Sequence, residues 1–141
     1  MPTADAVVLD THAWLWWQSG AKGLSRAARR ALDQATVVVV PAVCLWEVAQ
    51  LSALGRIRTD RDTLEWMRQA LAQDRVELAP LSPEIAVTSA DLGREGFPGD
   101  PSDRLVYGTA RTLDAPLLSA DERMRSFERG LPRRQPRHIV W

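Results

Sequence analysis

Four acidic side chains are the residues of this sequence best suited to act together in catalysis, and they are Asp10, Glu47, Asp103 and Asp121. Asp10 directly follows a short apolar run at 6–9, which is typical of a buried parallel strand. Asp121 lies just beyond a second apolar run at 117–119. Carboxylates that share a crevice repel one another unless a divalent cation neutralises them. Ligation by oxygen alone suits Mg²⁺ or Mn²⁺.

Glu47 and Asp103 are predicted to lie on helix faces that turn toward the core. Glu47 shares a face with Val43, Leu51 and Leu54. A carboxylate in an apolar stripe costs several kcal/mol when unpaired, so it needs a metal ion, an arginine or a proton. Asp103 begins a second stripe, which continues through Val106, Tyr107, Ala110 and Leu113.

A structural role stays open for several of these acids. Asp10 and Asp121 each precede a predicted helix and could simply cap it. Glu47 could form an ion pair with an arginine. Asp100 is assigned mainly to capping, because a proline follows it at the first helical position and Asp103 occupies the third.

Other catalytic centres lack their usual residues here. The chain has two histidines, His12 and His138, and one cysteine, Cys44, which disfavours zinc and rules out an internal disulfide. It has no Gly-x-Ser-x-Gly elbow, Walker loop or dinucleotide-binding glycine motif. An aspartyl-phosphate phosphatase remains an alternative, although its pattern needs an acid at the position of His12 and a later lysine, and the only lysine is Lys22.

Length and composition predict one globular domain over residues 1–141. The chain has 141 residues, 45% of them hydrophobic, and a formal net charge of zero. The longest apolar run, at 37–46, is interrupted by Pro41 and is far shorter than the ~20 residues of a membrane span. We therefore expect a cytoplasmic protein without a membrane segment. The end of the chain is a candidate basic patch, because six arginines follow Asp121: Arg123, Arg125, Arg129, Arg133, Arg134 and Arg137.

Apolar runs alternate with amphipathic segments along the whole chain, and this alternation predicts a parallel sheet covered by helices on both faces. The predicted strands are 6–9, 37–40, 76–78, 117–119 and 138–141. The predicted helices are one beginning at Thr11 and others at 25–34, 42–54, 60–73, 83–92, 100–113 and 121–127, with a loop at 93–99 and Pro41 opening the third helix. Sites in such folds form beyond the carboxyl ends of the strands.

The order and spacing of four segments resemble the PIN domain, and specifically the VapC-type toxin ribonucleases of bacterial toxin-antitoxin pairs. The segments are Val8 to Trp16, Trp46 to Ile57, Gly99 to Ala110 and Leu117 to Arg123. The resemblance implies a three-layer α/β/α sandwich with sheet order 3-2-1-4-5. It also implies Mg²⁺ or Mn²⁺ ligation by Asp10, Glu47, Asp103 and Asp121, with support from the hydroxyls of Thr11 and Ser119.

The implied function is metal-dependent endoribonuclease activity on RNA, as the toxin partner of a VapB-like antitoxin. The alternative is a non-catalytic binding module with a degenerate PIN-like site. Trp14, Trp16 and Trp17 crowd one short helix, so we expect at least one ring to leave the core and to serve a homodimer or antitoxin interface.

Overall fold

The computed structural model describes residues 5–20 and 22–141 as a five-stranded parallel sheet with helices packed around it. The strands are β1 (Ala6–Leu9), β2 (Val37–Pro41), β3 (Val76–Ala79), β4 (Leu117–Leu118) and β5 (Ile139–Val140). The helices are α1 (Thr11–Gln18), α2 (Arg26–Gln34), α3 (Ala42–Ala53), α4 (Thr63–Leu71), α5 (Pro83–Arg94), α6 (Pro101–Leu113) and α7 (Glu122–Arg129).

The strand order β3-β2-β1-β4-β5 confirms the order that the resemblance implied. All four pairings are parallel, and Val8 and Leu9 of β1 stand beside Leu117 and Leu118 of β4. The chain moves outward from β1 to β3 and then returns to β4 and β5 on the other side. Because parallel crossovers are right-handed, these two series of connections cover opposite faces of the sheet. The switch between them lies at β1 and β4.

The central strands are apolar because both of their faces are covered. All four residues of β1 are buried, and so are the last four of β2. The β-branched valines at 37–40 favour an extended backbone and pack well against a neighbouring strand. The edge strand β3 is less buried than the central strands, since Glu77 and Leu78 are exposed. The buried strands of the sheet are therefore β1, β2 and β4.

Predicted helix starts are confirmed at the capping side chains. The side-chain oxygens of Asp10, Ser25, Ser82, Asp100 and Asp121 each accept a hydrogen bond from a backbone N–H in the first turn of the following helix. Such caps satisfy N–H groups that have no partner within the helix. The caps fix where each helix begins relative to the strand before it.

Several predicted boundaries are wrong by a few residues. Helix α4 begins at Thr63 rather than at 60, because Asp62 caps it. Helix α5 continues to Arg94, which shortens the predicted 93–99 loop. Pro41 is the last residue of β2 and precedes α3 at the N-cap position, with φ of −62°. The last strand, β5, is limited to two residues of the predicted four.

The three rings of α1 do fan around the helix, but crowding does not force any of them into full exposure. Trp14 is completely buried, and Trp16 and Trp17 are half-buried against the core. The guanidinium of Arg75 lies 5.6 Å from the ring centroid of Trp17 and covers it. The strongly exposed tryptophan is instead Trp46, at 57%. The prediction of an exposed ring on α1 is therefore wrong.

A buried carboxylate, which the sequence did not reveal, holds the last strand. Glu128 is 5% exposed and accepts the hydroxyl of Tyr107 at 2.7 Å. It also accepts the backbone N–H groups of His138 at 2.7 Å and Ile139 at 3.0 Å. Helices α6 and α7 are thereby joined to β5 through one side chain.

Cys44 is buried on α3, next to the carboxyl end of β1. Its thiol lies 3.8 Å from the carbonyl oxygen of Leu9 at the end of β1. Burial raises the pKa of the Cys44 thiol well above its ordinary value. This thiol is therefore a neutral packing group. Among the residues described, no helix combines the length and apolar character needed to cross a membrane.

Candidate active site

The four predicted acids line one cleft of about 380 Å³ at the carboxyl edge of the sheet. The remaining residues of its lining are Thr11, His12, Trp16, Asp100, Val106, Ala120 and Arg123. The cleft opens at β1 and β4, where the direction of chain connection reverses and where open α/β sheets commonly bind ligands. The structure thus brings together the residues that sequence reasoning had selected.

Asp10 occupies the deepest position because it directly follows β1. Its backbone N–H donates to the carbonyl of Leu118, which extends the pairing of β1 with β4 by one step. Ser119, buried at the end of β4, therefore stands next to Asp10 and hydrogen-bonds to its side chain. Asp10 also accepts the N–H of Ala13 at 2.8 Å. The capping role and a site role are compatible, because the second carboxylate oxygen is not needed for the cap.

Glu47 is held by a hydroxyl rather than by an arginine. Thr11 Oγ1 donates to Glu47 Oε1 at 2.6 Å, which joins the first turn of α1 to α3. The predicted apolar stripe around Glu47 is only partly buried, since Leu54 is exposed. The fully buried face of α3 carries Cys44 and Val48 instead. Glu47 therefore lies at the border between the core and the cleft.

Asp103 is fixed by a capping box at the start of α6. Its N–H donates to Asp100 Oδ1 at 3.1 Å, while Asp103 Oδ2 accepts the N–H of Asp100 at 3.4 Å. Gly99 has φ of +102°, and a Cβ there would fall 2.6 Å from Asp103 Oδ2. A side chain at position 99 would thus be strained and would also collide with the carboxylate. Glycine at position 99 therefore leaves the space that the Asp103 carboxylate occupies.

Asp121 and Asp103 share one arginine. Asp121 Oδ1 accepts the N–H groups of Arg123 at 2.9 Å and of Met124 at 3.2 Å, which caps α7. The Arg123 guanidinium lies 3.5 Å from Asp103 Oδ2 and 3.7 Å from Asp121 Oδ2. The Arg123 side chain is 65% exposed. It supplies positive charge at the rim of the cleft and is free to rotate away from it.

The electrostatics of the cleft disfavour ionisation of its acids. Burial raises the pKa of Asp10 above its ordinary value, although the hydrogen bonds from Ser119 and Ala13 oppose the change. Burial also raises the pKa of Glu47. For Asp103, burial and then the charges of Asp100 and Asp121 raise the pKa to about 6. A bound cation would remove this cost, because it favours the ionised form of each acid.

The donor set fits a hard divalent cation. Apart from His12, the groups facing the cleft that could ligate a metal are carboxylate and hydroxyl oxygens, which are the ligands that Mg²⁺ and Mn²⁺ prefer. Within 5–20 and 22–141, no three acidic, histidine or cysteine side chains stand close enough together to hold one ion. Arg123 is instead paired with Asp103 and Asp121. Ligation would therefore require rotation of side chains and withdrawal of Arg123.

Three cleft residues were not selected from the sequence. His12 had been considered as a zinc ligand and as the position where a phosphatase needs an acid, Arg123 as part of a basic run, and Trp16 as an interface ring. The signal for His12 and Trp16 was their spacing of four residues on the helix that begins at Thr11. Of the other C-terminal arginines, Arg125 and Arg129 pair with Glu122.

We expect the metal-free protein to lose thermal stability as the pH rises from 5 to 7. The pKa of Asp103 is about 6 in the folded state, above its ordinary value of 3.8. Its contribution to stability is thus present at low pH and is lost as the pH rises through 6. In chelator, we expect a fall in melting temperature of a few degrees, ~2–5 °C. The slope should be smaller in Asp103→Asn. An equal slope in both proteins would contradict the prediction.

We expect Asp100→Asn to lower the free energy of unfolding by at most about 1 kcal/mol and to spare RNA cleavage, because asparagine caps helices nearly as well as aspartate. The change should also lower the pKa of Asp103 and Glu47, which the charge of Asp100 raises. Urea unfolding and a cleavage assay test this. Loss of metal binding in the variant would instead place Asp100 among the ligands.

Comparison with known proteins identifies the fold around this cleft. The family model of the PIN domain matches residues 7–130, which include all four acids. The chain belongs to the PIN-domain family. This PIN domain is 35% identical over 136 residues to "Ribonuclease VapC22" of Mycobacterium tuberculosis (strain ATCC 25618 / H37Rv), and the match covers 96% of this chain and 98% of the relative.

Solved structures with the same fold include two toxin-antitoxin assemblies. A toxin-antitoxin complex from Klebsiella pneumoniae contains a chain that matches with a TM-score of 0.63 and 18% identity, covering 96% of both chains. VapBC2 from Rickettsia felis, bound to a DNA fragment from its promoter, matches with a TM-score of 0.61 and 12% identity, covering 86% of this chain and 92% of the other. These likenesses concern the fold of this PIN domain.

Proposed function

We propose that this PIN domain is an endoribonuclease that hydrolyses phosphodiester bonds of RNA with the help of Mg²⁺ or Mn²⁺. The observation that carries the proposal is the convergence of Asp10, Glu47, Asp103 and Asp121 on one cleft. The 35% identity to a protein named as a ribonuclease supports the choice of RNA as the substrate.

The four acids would hold the ion, and neighbouring groups orient their carboxyl groups. Ser119 orients Asp10, and Thr11 orients Glu47 at 2.6 Å. When bound, the metal supplies an activated water and stabilises negative charge on the attacked phosphate. Oriented carboxylates lose less freedom on ligation, so the hydroxyls are positioning groups. Their replacement should weaken metal binding more than it weakens the fold.

Arg123 has a place in the same proposal. If Asp103 and Asp121 held a metal ion, the exposed Arg123 guanidinium would no longer be needed as their partner and would be available at the rim to hold a phosphate. Exposed arginines are well suited to this task, because they contact phosphates in pairs of hydrogen bonds. Affinity gained in this way falls as the salt concentration rises.

We further propose that the protein is the toxin of a VapBC-type pair and forms a homodimer. The relative's name and the fold shared with chains of toxin-antitoxin complexes support the toxin role. The homodimer is what the resemblance to VapC-type toxins implies. In this role a VapB-like antitoxin would bind the PIN domain and restrain its cleavage of RNA.

The decisive experiment is incubation of the purified protein with single-stranded RNA in Mg²⁺, in Mn²⁺ and in chelator. Cleavage that requires either metal, and that leaves internal fragments, supports the proposed endonuclease. Cleavage that is undiminished in chelator would contradict metal dependence. Hydrolysis of a phosphate monoester in place of RNA would favour the phosphatase alternative, and no reaction with any substrate would favour the binding module.

A further inference from the structure

Two aromatic rings, His12 and Trp16, line the cleft beside the acids. They lie four residues apart on α1 and therefore share one side of that helix. Their ring centroids are 5.8 Å apart and their planes are inclined by 47°. The His12 side chain is exposed, whereas Trp16 is half-buried. A flat, accessible ring thus stands two residues after Asp10, at the edge of the acidic cleft.

Trp16 is a rigid support for this ring. A Cβ on Gly23 would fall 2.4 Å from Cδ2 of Trp16, so the backbone of Gly23 lies directly against the indole. The ring of Trp141, next to β5, packs on Trp16 with centroids 5.5 Å apart. The loop after α1 and the end of the chain thereby fix the indole, and His12 is the exposed end of the row of three rings.

We propose that His12, supported by Trp16, is a stacking surface for the nucleobase adjacent to the phosphate that is cleaved. The inference rests on the proposed ribonuclease function and deepens it by locating a base subsite. A nucleobase suits this position because it is flat and uncharged, so the carboxylates of Asp10 and Glu47 do not repel it. Stacking on aromatic side chains is the usual way in which proteins hold bases of single-stranded RNA.

The geometry also separates the two parts of a nucleotide. The backbone phosphate would lie over the four acids with the metal ion, and the sugar would lead from it toward α1. His12 follows Asp10 by two residues, so the stacking surface and the reacting phosphate are neighbours within one turn of helix. A base that stacks there would place its own phosphate in the cleft. His12 would therefore contact the substrate through the face of its ring.

The test compares His12→Phe with His12→Ala. Phenylalanine keeps a flat ring, while alanine removes it, so only the alanine variant should raise KM for a short single-stranded RNA. We expect a rise of about tenfold, which is typical for the loss of one stacked base, and a kcat within about threefold of that of the unchanged protein. Trp46→Ala is the matched control, since this exposed ring lies outside the cleft lining.

A binding measurement removes the dependence on cleavage. Fluorescence anisotropy of labelled RNA is measured with Asp10→Asn protein in Mg²⁺, with and without His12→Ala. The measurement is repeated with a series of oligonucleotides, each of which lacks the base at a different position. We expect one position at which base removal raises Kd about tenfold with His12 present and has little effect once His12 is alanine. His12→Phe should restore the response at that position.

Three results would overturn the proposal. One is the same KM for His12→Ala as for the unchanged protein. Another is a loss of kcat that His12→Phe fails to restore, which would assign His12 to proton transfer or metal binding. The third is that removal of the base raises Kd by the same factor whether residue 12 is histidine or alanine, so that the two changes act independently. Failure of the proposed function looks different, because RNA would then remain uncleaved in Mg²⁺ and Mn²⁺ by the unchanged protein.

Discussion

Asp10→Asn and Asp103→Asn are each expected to reduce RNA cleavage more than about a hundredfold and to leave the fold intact. Loss of a partner outside the ligand shell already costs about 10–100-fold in metalloenzymes, so removal of a direct ligand should cost more. An asparagine at position 10 can still cap α1, and one at position 103 can still accept the N–H of Asp100, because the amide oxygen accepts the same backbone N–H. Cleavage is measured at saturating Mg²⁺, and folding is checked by circular dichroism.

The same two variants should be at least as heat-stable as the unchanged protein in chelator. Burial raises the pKa of Asp10 and Asp103, so their ionised forms at neutral pH oppose folding, and a neutral amide removes that cost. In saturating Mg²⁺ the order should reverse, because only the unchanged protein gains stability from the bound ion. A lower melting temperature for both variants in chelator would show that capping is the main role of these acids.

Glu128→Ala is expected to lower the free energy of unfolding by about 3–5 kcal/mol. The carboxylate accepts three donors, from Tyr107, His138 and Ile139, and alanine would leave all three buried without a partner. Each such group costs about 1–3 kcal/mol, and partial hydration after the change lowers the total. Urea unfolding followed by tryptophan fluorescence gives the value.

Two matched variants show whether the hydrogen bonds cause this loss. Tyr107→Phe removes one donor and leaves the other two satisfied, so it should cost about 1 kcal/mol. Glu128→Gln keeps an acceptor oxygen but turns an NH₂ group toward the remaining donors. Its loss of unfolding free energy should therefore lie between those of Tyr107→Phe and Glu128→Ala. A loss below 1 kcal/mol for Glu128→Ala would show that β5 is held by packing alone.

The elements that the sequence predicts well are those whose signal is local. β1 and β2 are continuous apolar runs, and helices α5 and α6 begin with an N-cap followed by proline, so their starts were predicted correctly. The ends were less certain because a helix end depends on what it packs against. Helix α5, for example, continues to Arg94 past the glycine at which a loop was predicted.

The acids were found because they lie at strand ends or on helix faces, which are periodic features. Their partners were not, because hydrogen bonds such as that from Thr11 to Glu47 join residues 36 positions apart. Only the family resemblance predicted a supporting role for Thr11 and Ser119. Glu128 was missed although it lies four residues after buried Met124, because an acid on a charged helix resembles an ordinary surface residue.

The burial of Cys44 makes covalent labelling of this protein selective for a single structural event. The thiol is the only one in the chain, and it lies between the end of β1 and helix α3, the two elements that carry Asp10 and Glu47. A thiol reagent can reach it only when these elements separate. The rate of labelling under native conditions therefore reports how often the end of β1 separates from α3, even while the rest of the sheet remains folded.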